Sequence, residues 1–250
     1  MTGADPEVTE DGLLGGRVRL LQPVEGYRAA IDPVLLAAAV DPAGGGDILE
    51  LGCGSGAASL CLLHRCPTVR VTGLEIDSAT ARLARRSAEL NGADARFEVV
   101  EGDLLAPPMA LAGPRFDQVM LNPPFHRADS AAASPNPDRA RAHREAGTSL
   151  ADWLSAALAA VKPKGRVTVI HRADRLAELL TLLAGRAGEA VVFPLWPAEG
   201  KPAKRVLLRA RAGVATPMTL AAGLVLHEPG GGYTPEAEAI LRRGDPLARF

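Results

Sequence analysis

Hydrophobic residues along the chain fall into two alternating patterns. Short continuous apolar runs, typical of buried strands, are each followed by segments with apolar residues three and four positions apart, typical of helices packed on a core. The run DILELG at 47–52 leads through a glycine-rich turn into a helical pattern from Ala57 to His64. The run VRVTGLEI at 69–76 precedes a second helical pattern, DSATARLARRSAELN. This alternation predicts an α/β protein.

The rest of the chain continues the alternation. Two further helices are predicted at 149–165 and 174–185, and five further strands at 96–103, 116–121, 166–172, 189–196 and 204–212. We therefore predict a doubly wound, mostly parallel seven-stranded sheet with helices on both faces. No helix separates the last two strands, so we expect them to pair at one edge of the sheet, with the last strand antiparallel.

Two segments stand apart from this alternation. Residues 1–45 are predicted to form an N-terminal extension that packs on a domain at 46–250. The extension is expected to contain a short strand or hairpin and the helix DPVLLAAAV, with Asp32 as N-cap and Pro33 in the first turn. The segment 126–148 is polar and has no strong period, and a loop of this length in a compact domain is usually functional or disordered.

A glycine-rich turn follows the first of the seven strands. Gly52, Gly54 and Gly56 alternate with other residues, which lets the backbone turn tightly and come close to a ligand. Dinucleotide-binding proteins share such turns, but Glu50 would repel a pyrophosphate and favours a ligand that carries positive charge. The start of the following helix can also bind a carboxylate. We therefore predict a ligand site formed by these residues and Cys53.

The next two strands also end in acidic residues. Glu75 can accept hydrogen bonds from the two hydroxyls of a ribose, and Asp103, with Leu104 beside it, can accept one from an adenine amino group. A ligand with a carboxylate, a positive centre, a ribose and an adenine matches S-adenosylmethionine, which we predict as the cofactor. Taken alone, either acid would be explained as well by a place at a helix N-terminus.

The residues Asn122, Pro123, Pro124 and Phe125 end the strand at 116–121. A planar amine is a poor nucleophile because its lone pair is delocalised. The Asn122 side-chain carbonyl and the Pro123 backbone carbonyl could accept both of its N–H bonds and free that lone pair, while the prolines hold the acceptors in place. Phe125 can stack on a flat base. We predict that these four residues are catalytic and that Asn122 also contacts the cofactor. The alternative is a rigid turn that covers the sheet edge.

The motifs LELGCGSG and NPPF resemble the first and fourth motifs of the class I methyltransferases, and the resemblance covers residues 47–125. It implies the cofactor contacts Gly52, Gly54, Gly56, Glu75 and Asp103. The chain also resembles the bacterial tRNA N6-adenine methyltransferases that modify the adenine 3′ of the anticodon in a valine tRNA. That resemblance rests on IDPVLLAAAV, NPPF, KRVLLRARA and LVLHEPGGGYTPEAEAIL, from about residue 15 to the end. NPPF replaces the commoner NPPY and therefore lacks a hydroxyl.

Charge is unevenly distributed along the chain. Residues 1–50 carry a net charge of −6 and residues 162–211 a net charge of +7. Such blocks suggest one basic face for a phosphate-rich partner, although a solvated arginine-rich surface has the same composition. With the resemblance above, we predict RNA, specifically tRNA, as the partner and 126–148 as the substrate loop. The expected substrate contacts are Phe125, His126, Arg127, Lys204 and Arg205.

The NPPF motif indicates a planar amine without saying which one. Protein glutamine N5-methyltransferases share it, but they usually carry a separate helical N-terminal domain, and fewer than 50 residues precede the first motif here. Guanine N2 of rRNA or a small-molecule amine would also fit the motif. An inactive cofactor-binding scaffold is a further alternative, but the intact glycine turn, Glu75, Asp103 and NPPF together speak against it. The histidines lack metal-ligand spacing, and the N-terminus lacks a signal-peptide pattern. We predict a cytoplasmic enzyme with no metal and no membrane association.

Overall fold

The computed structural model describes residues 7–25, 28–42, 46–111, 113, 115–125, 148–248 and 250. The strands are β1 (Val8–Leu13), β2 (Val18–Pro23), β3 (Gly46–Leu51), β4 (Val69–Glu75), β5 (Phe97–Glu101), β6 (Phe116–Leu121), β7 (Val161–Arg172), β8 (Ala187–Ala198), β9 (Arg205–Ala212), β10 (Thr219–Leu220) and β11 (Leu224–His227). The α-helices are α1 (Asp32–Ala39), α2 (Ala57–Arg65), α3 (Ser78–Leu90), α4 (Leu150–Ala160), α5 (Leu176–Leu183) and α6 (Pro235–Glu238). Apart from Thr148, the predicted substrate loop lies outside the described residues.

The main sheet has the strand order β10-β8-β9-β7-β6-β3-β4-β5, and β11 also pairs with β8. The seven predicted strands correspond to β3 through β9, and helices pack on both faces, so the predicted fold class is confirmed. β9 is antiparallel to β7 and to β8, and it lies between them rather than at the edge. The short strands β10 and β11 extend the sheet beyond β8 and were not predicted, because two to four residues carry too little periodicity.

The N-terminal residues form a β1–β2 hairpin and the helix α1. The hairpin is a separate antiparallel pair whose second strand packs against α3, where Leu21 N donates to Ser87 Oγ at 3.0 Å. The predicted N-cap of α1 is wrong, because Ile31 holds that position and Asp32 is the first helical residue. The Asp32 carboxylate instead accepts a hydrogen bond at 3.0 Å from Nε of Arg205, which lies far along the chain.

Two buried clusters fill the space between the sheet and the helices on its two faces. Helices α1, α2 and α3 contribute to one cluster, and α4 and α5 contribute to the other. Successive residues of β6 point to opposite faces, so that Met120 joins the first cluster while Val119 and Leu121 join the second. The central strands are therefore apolar on both sides, as expected of a parallel sheet covered on both faces.

All three cysteines are free thiols, and two of them belong to the core. Cys53 and Cys61 are buried, and burial raises the pKa of each thiol, so both behave as small neutral core residues. Cys66 is partly exposed. Among the described residues, no helix is long and apolar enough to cross a membrane.

Candidate active site

The candidate site lies where the strand order reverses, between β3 and β6. The chain runs from β3 through β4 to β5 on one side, whereas β6 and β7 lie on the other. Leu51 at the end of β3 pairs in register with Leu121 at the end of β6, so Gly52 and Asn122 begin neighbouring loops. Ligands of doubly wound sheets bind in this crevice, outside the carboxyl ends of the parallel strands.

The three glycines of the turn after β3 have different surroundings. All have positive φ angles, +65° at Gly52, +56° at Gly54 and +91° at Gly56, which favour glycine. A Cβ at Gly52 would lie 2.6 Å from the Trp153 ring, and a Cβ at Gly56 would lie 2.7 Å from the Phe97 ring. A Cβ at Gly54 would meet no described atom within 4 Å. Two glycines thus let the turn pack on aromatic rings, and the middle one borders open space.

Glu75, the last residue of β4, orients the glycine turn. Its Oε2 accepts a hydrogen bond from Gly54 N, and its Oε1 accepts one from Asp77 N, both at 2.9 Å. The side chain is only 7% exposed, so these contacts fix its direction. The Glu75 carboxylate therefore lies at the carboxyl end of β4, where acceptance from ribose hydroxyls is predicted.

Glu50 is buried beneath the turn and contacts α2. Its Oε2 accepts from the backbone N of Ser59 at 3.0 Å and from the Ser59 hydroxyl. Burial raises the pKa of Glu50 to about 8, although the Ser59 hydrogen bonds act in the opposite direction. The carboxyl is therefore mostly protonated near pH 7, and the full negative charge assumed from the sequence is absent. Glu50 joins β3 to α2 in this structure.

Cys53 shapes the turn mainly through its backbone. Its N donates to Leu74 O at 3.0 Å, and its O accepts from Gly56 N at 2.9 Å. The thiol packs on Gly73, where an added Cβ would lie 2.6 Å from Sγ. The small side chain and the glycine on β4 thus let the turn lie close to the sheet.

Asp103 lies two residues beyond β5. Because Glu75 pairs with Glu101 in register, Asp103 follows the neighbouring strand end on the same side of the crevice. Its Oδ1 accepts from Leu105 N at 2.8 Å, which fixes the start of the following turn. Leu104 is half-buried and packs against the second core cluster. Gly54, Glu75 and Asp103 therefore lie at or just beyond the carboxyl ends of three neighbouring strands, β3, β4 and β5.

Asn122 carries a buried acceptor without a partner. Its side-chain Oδ1 is inaccessible to solvent, and in the part of the chain that the structure describes no hydrogen-bond donor reaches it. An unsatisfied buried carbonyl costs about 1–3 kcal/mol, and a bound N–H donor would recover that energy. Pro123 beside it is buried, whereas Pro124 is exposed. Asn122 therefore brings an acceptor oxygen without a described donor to the end of β6, next to the loop that begins at Gly52.

Phe125 is held between residues from β7 and β9. The guanidinium carbon of Arg205 lies 4.5 Å from the centre of the Phe125 ring. The ring centre is 5.2 Å from that of His171, with 77° between the two planes. His171 is buried, and burial, followed by the nearby Arg175, lowers its pKa to about 4, so the imidazole is neutral near pH 7.

The other predicted substrate contacts are placed unequally. Lys204 is exposed directly before β9, and Arg205 lies against Phe125 and Asp32. His126 and Arg127 lie outside the described residues. Among the members of the predicted set that the structure describes, Phe125 and Arg205 are the two whose side chains meet.

The basic stretch 162–211 does not form one face, which corrects the expectation from its charge. Five of its eleven basic residues pair with acids: Lys162, Arg172, Arg175, Arg205 and Arg211. Lys164 and Arg166 line a groove at the end of the sheet opposite the crevice. Lys201 and Lys204 lie at the crevice end. The stretch divides because β7 and β9 run in opposite directions across the sheet.

Four residues that support the site were not predicted from the sequence. Phe97 and Trp153 pack beneath the glycines, and His171 and Asp32 contact the group around Phe125. Their partners are distant in the chain, so neither spacing nor periodicity reveals them. The aromatic residues in an aromatic-poor chain were the one signal that could have drawn attention to two of them.

This architecture defines the class of protein. A doubly wound sheet with antiparallel β9, a glycine turn at the switch point and acids at the next two strand ends is the arrangement of the class I methyltransferases. A family model described as "Methyltransferase small domain" matches residues 30–137.

Curated relatives indicate which methyltransferases this chain resembles. The protein named tRNA1(Val) (adenine(37)-N6)-methyltransferase from Porphyromonas gingivalis is 32% identical over 225 residues, covering 84% of this chain and 85% of that protein. A protein of the same name from Aeromonas hydrophila is 29% identical over 189 residues, or 75% of this chain and 78% of that protein. The release factor glutamine methyltransferase from Deinococcus radiodurans is 35% identical over 160 residues, or 62% of this chain and 53% of that protein.

This chain belongs to the family of the proteins named tRNA1(Val) (adenine(37)-N6)-methyltransferase, and it is an S-adenosylmethionine-dependent methyltransferase. The predicted resemblance and cofactor are confirmed. Protein Atu636 from Agrobacterium tumefaciens, a solved structure described as a predicted O-methyltransferase, has a TM-score of 0.72 and 29% identity and covers 87% of this chain and 99% of its own. Protein lmo1582 from Listeria monocytogenes shares the fold, with a TM-score of 0.53 and 16% identity over 76% of this chain and 62% of its own.

Proposed function

We propose that this enzyme methylates N6 of an adenine in tRNA, next to the anticodon. The observation that carries the proposal is the buried Asn122 Oδ1 without a donor, beside the glycine turn. The relatives that match most of the chain are named for methylation of adenine 37 in a valine tRNA. Together they indicate an exocyclic base amine as the acceptor.

The Asn-Pro-Pro-Phe segment would prepare that amine for reaction. Asn122 Oδ1 accepts one N–H bond and the Pro123 carbonyl accepts the other, which draws the nitrogen out of the ring plane and frees its lone pair. The two prolines fix the backbone, so the acceptors need little reorganisation. S-adenosylmethionine, when bound, supplies a methyl group on a positively charged sulfur. The amine nitrogen would form the new bond to the methyl carbon as the bond from that carbon to sulfur breaks, with its electron pair going to the sulfur of the departing thioether. The amine would lose one proton to water, so alignment of nitrogen, carbon and sulfur is the main requirement.

The crevice supplies the remaining contacts of the cofactor. Gly54 lets the backbone approach it, Glu75 accepts from the ribose and Asp103 accepts from the adenine. Support comes from the open space at Gly54 and from the two amides that fix Glu75. Glu50 and Cys53 act through the shape of the turn, as their burial indicates.

The tRNA would lie across the crevice end of the sheet, beyond the substrate amine. Lys201 and Lys204 are exposed there and are suited to contact phosphates. Contacts from His126, Arg127 and the rest of the 126–148 loop stay predictions. A tRNA substrate would also place the enzyme in the cytoplasm, an environment in which the three free thiols stay reduced.

Glutamine methylation of a protein is the second candidate. A carboxamide is also a planar amine, so the same acceptors could hold it, and release factor glutamine methyltransferases match this chain. That match covers 53% of the Deinococcus radiodurans protein, compared with 85% of the Porphyromonas gingivalis tRNA enzyme. The longer match favours tRNA.

The test is methyl transfer from labelled S-adenosylmethionine to an unmodified valine tRNA transcript. A transcript with guanine in place of adenine 37 is the matched control, and rRNA and a release factor are run in parallel. We expect label in the first transcript alone, recovered as N6-methyladenosine after digestion. Label only in the release factor would replace the proposal with glutamine methylation, and equal amounts of N6-methyladenosine from both transcripts would exclude adenine 37 as the target.

A further inference from the structure

Phe125 is the aromatic residue of the Asn-Pro-Pro-Phe segment, and its side chain has no polar atom. Hydrogen bonds cannot orient it, so the direction of its ring depends on the groups that pack against it. The ring is also the surface on which a base would stack next to Asn122. A displaced ring would misplace the base, and a misplacement of about 1 Å can cost on the order of 100-fold in rate.

Arg205 covers one face of this ring. Its guanidinium carbon is 4.5 Å from the ring centre, within the distance of about 6 Å at which a cation is attracted to an aromatic face. Arginine is suited to the contact because its planar group can stack and donate hydrogen bonds at the same time. A base can therefore meet only the part of the Phe125 ring that Arg205 leaves accessible.

Arg205 is itself fixed by two other segments. Its Nε donates to Oδ2 of Asp32 at 3.0 Å, and its Nη1 donates to Lys204 O at 3.3 Å. The Asp32 side chain is 15% exposed and that of Arg205 33% exposed, so this ion pair is less screened than an open surface pair. The first residue of α1 thus determines where the guanidinium lies.

His171 limits the movement of the ring from another direction. Its imidazole is 1% exposed and lies nearly perpendicular to the Phe125 ring. His171 on β7 pairs with Val206 on β9, the residue directly after Arg205. Residues of β7 and β9 therefore pack together against the Phe125 ring. Segments that are distant in the sequence therefore meet at Phe125.

We propose that Arg205 is a positioning residue for methyl transfer, which holds the Phe125 ring in its stacking position while Asp32 holds Arg205. This inference rests on the proposed function, since the ring acts on the base to be methylated. It differs from the expectation that Arg205 contacts the tRNA substrate directly.

The test compares Arg205→Lys with Arg209→Lys. Arg209 lies on the same strand, with its guanidinium carbon 4.6 Å from the Phe250 ring, so it provides a matched cation–aromatic contact. Lysine keeps the charge but loses the planar guanidinium, so the variant removes stacking on the ring, while a weakened contact with the tRNA would show in KM instead. We expect Arg205→Lys to lower kcat for the valine tRNA transcript about 10- to 100-fold with KM nearly unchanged. Arg209→Lys should stay within about twofold of the wild type.

A double-mutant cycle separates positioning through the ring from a general structural role. Phe125→Leu alone should lower kcat, and adding Arg205→Lys to it should cause little further loss, because the residue on which Arg205 acts is already absent. Asp32→Asn should lower kcat in the same direction by a smaller factor. Additive losses from Phe125→Leu and Arg205→Lys would overturn the proposal, as would equal activity of Arg205→Lys and Arg209→Lys.

The wild-type reaction distinguishes failure of this inference from failure of the proposed function. If wild-type enzyme does not methylate the transcript, the proposed function fails and this proposal fails with it. If the wild type is active and Arg205→Lys raises KM without lowering kcat, the function stands and Arg205 contacts the tRNA instead.

Discussion

The two sides of the switch point are built differently. On the cofactor side, Gly54 lies in the turn three residues beyond β3 and Glu75 is the last residue of β4, and one hydrogen bond of 2.9 Å joins them. On the substrate side, Phe125 depends on His171, Arg205 and Asp32, and the last two are separated by 173 positions. The first side is made by consecutive strand–turn–helix units, whereas the second is made by segments that meet only after folding.

This contrast explains why the two sides differ in what a sequence reveals. A positive φ, a turn glycine or an acid at a strand end is a local requirement, and local requirements leave residue patterns. A cation over a ring requires only that two side chains meet, and many residues could supply either partner. The predicted cofactor contacts can thus be located from the sequence, but the support of the Phe125 ring cannot.

The largest effect on turnover is expected from substitution of Asn122, which tests whether this residue belongs to the substrate side or to the cofactor side. Asn122→Ala should lower kcat by on the order of 100- to 1000-fold, because it removes an acceptor that acts on the substrate amine. S-adenosylmethionine affinity, measured by calorimetry, should change little. Asn122→Asp keeps an acceptor oxygen and should retain more turnover than the alanine variant. An equal loss of cofactor affinity would show that Asn122 belongs mainly to the cofactor side.

Glu50 provides the next test, which concerns stability on the cofactor side. Its pKa of about 8 in the folded protein lies above the ordinary value of 4.5, so the folded state holds a proton that the unfolded state has lost between these pH values. Its contribution to stability should therefore fall by a few kcal/mol at most as pH rises from about 4.5 to about 8. Above about pH 8 the contribution should stay level.

Glu50→Gln stays neutral at every pH and keeps an acceptor for Ser59. Urea unfolding is measured at several pH values between about 5 and about 8. The free energy of unfolding of the variant should rise relative to that of the wild type as pH rises. His171, whose pKa is lowered to about 4, affects both proteins in the same way and cancels in the difference. Parallel pH profiles of the two proteins would contradict the raised pKa of Glu50.

The glycines allow a smaller and more local comparison. Gly56→Ala should lower the free energy of unfolding by about 2–4 kcal/mol, because it adds a clash with Phe97 to an unfavourable φ. Gly54→Ala has only the unfavourable φ and should cost about 1–2 kcal/mol. The added methyl group of Gly54→Ala would enter the crevice. Cofactor affinity should therefore fall more in Gly54→Ala than in Gly56→Ala, although Gly54→Ala loses less stability. Thermal unfolding and calorimetry check both effects, and equal stability losses would refute the distinction.

The smallest effect concerns the divided basic stretch. Lys204→Glu, at the crevice end, should weaken tRNA binding several-fold and reduce the salt slope of log K by about 1 to 2. Lys164→Glu is the same charge reversal at the opposite end of the sheet and should leave both quantities nearly unchanged. Binding is measured by filter retention between about 50 and 200 mM salt. Similar losses in the two variants would indicate a tRNA that contacts both ends.

The fold was predictable because apolar periodicity specifies each element and the α/β alternation restricts the topology. The strands β3 through β9 and the helices on both faces followed from it. The short strands β10 and β11 did not, since they form by adding to the edge of an existing sheet. The cap of α1 was predicted wrongly because the local rule for Asp32 competes with a distant arginine, which nothing in the neighbouring sequence reveals.

The sequence by itself determined the sheet, the glycine turn, the acids that follow it and the Asn-Pro-Pro-Phe segment, because each is a local requirement of backbone shape or strand position. Only the tertiary structure decided that Glu50 is buried and largely neutral, that the basic stretch divides between two ends of the sheet, and that Arg205 lies on Phe125. These three depend on burial and on the direction of strands, and both are properties of the assembled chain.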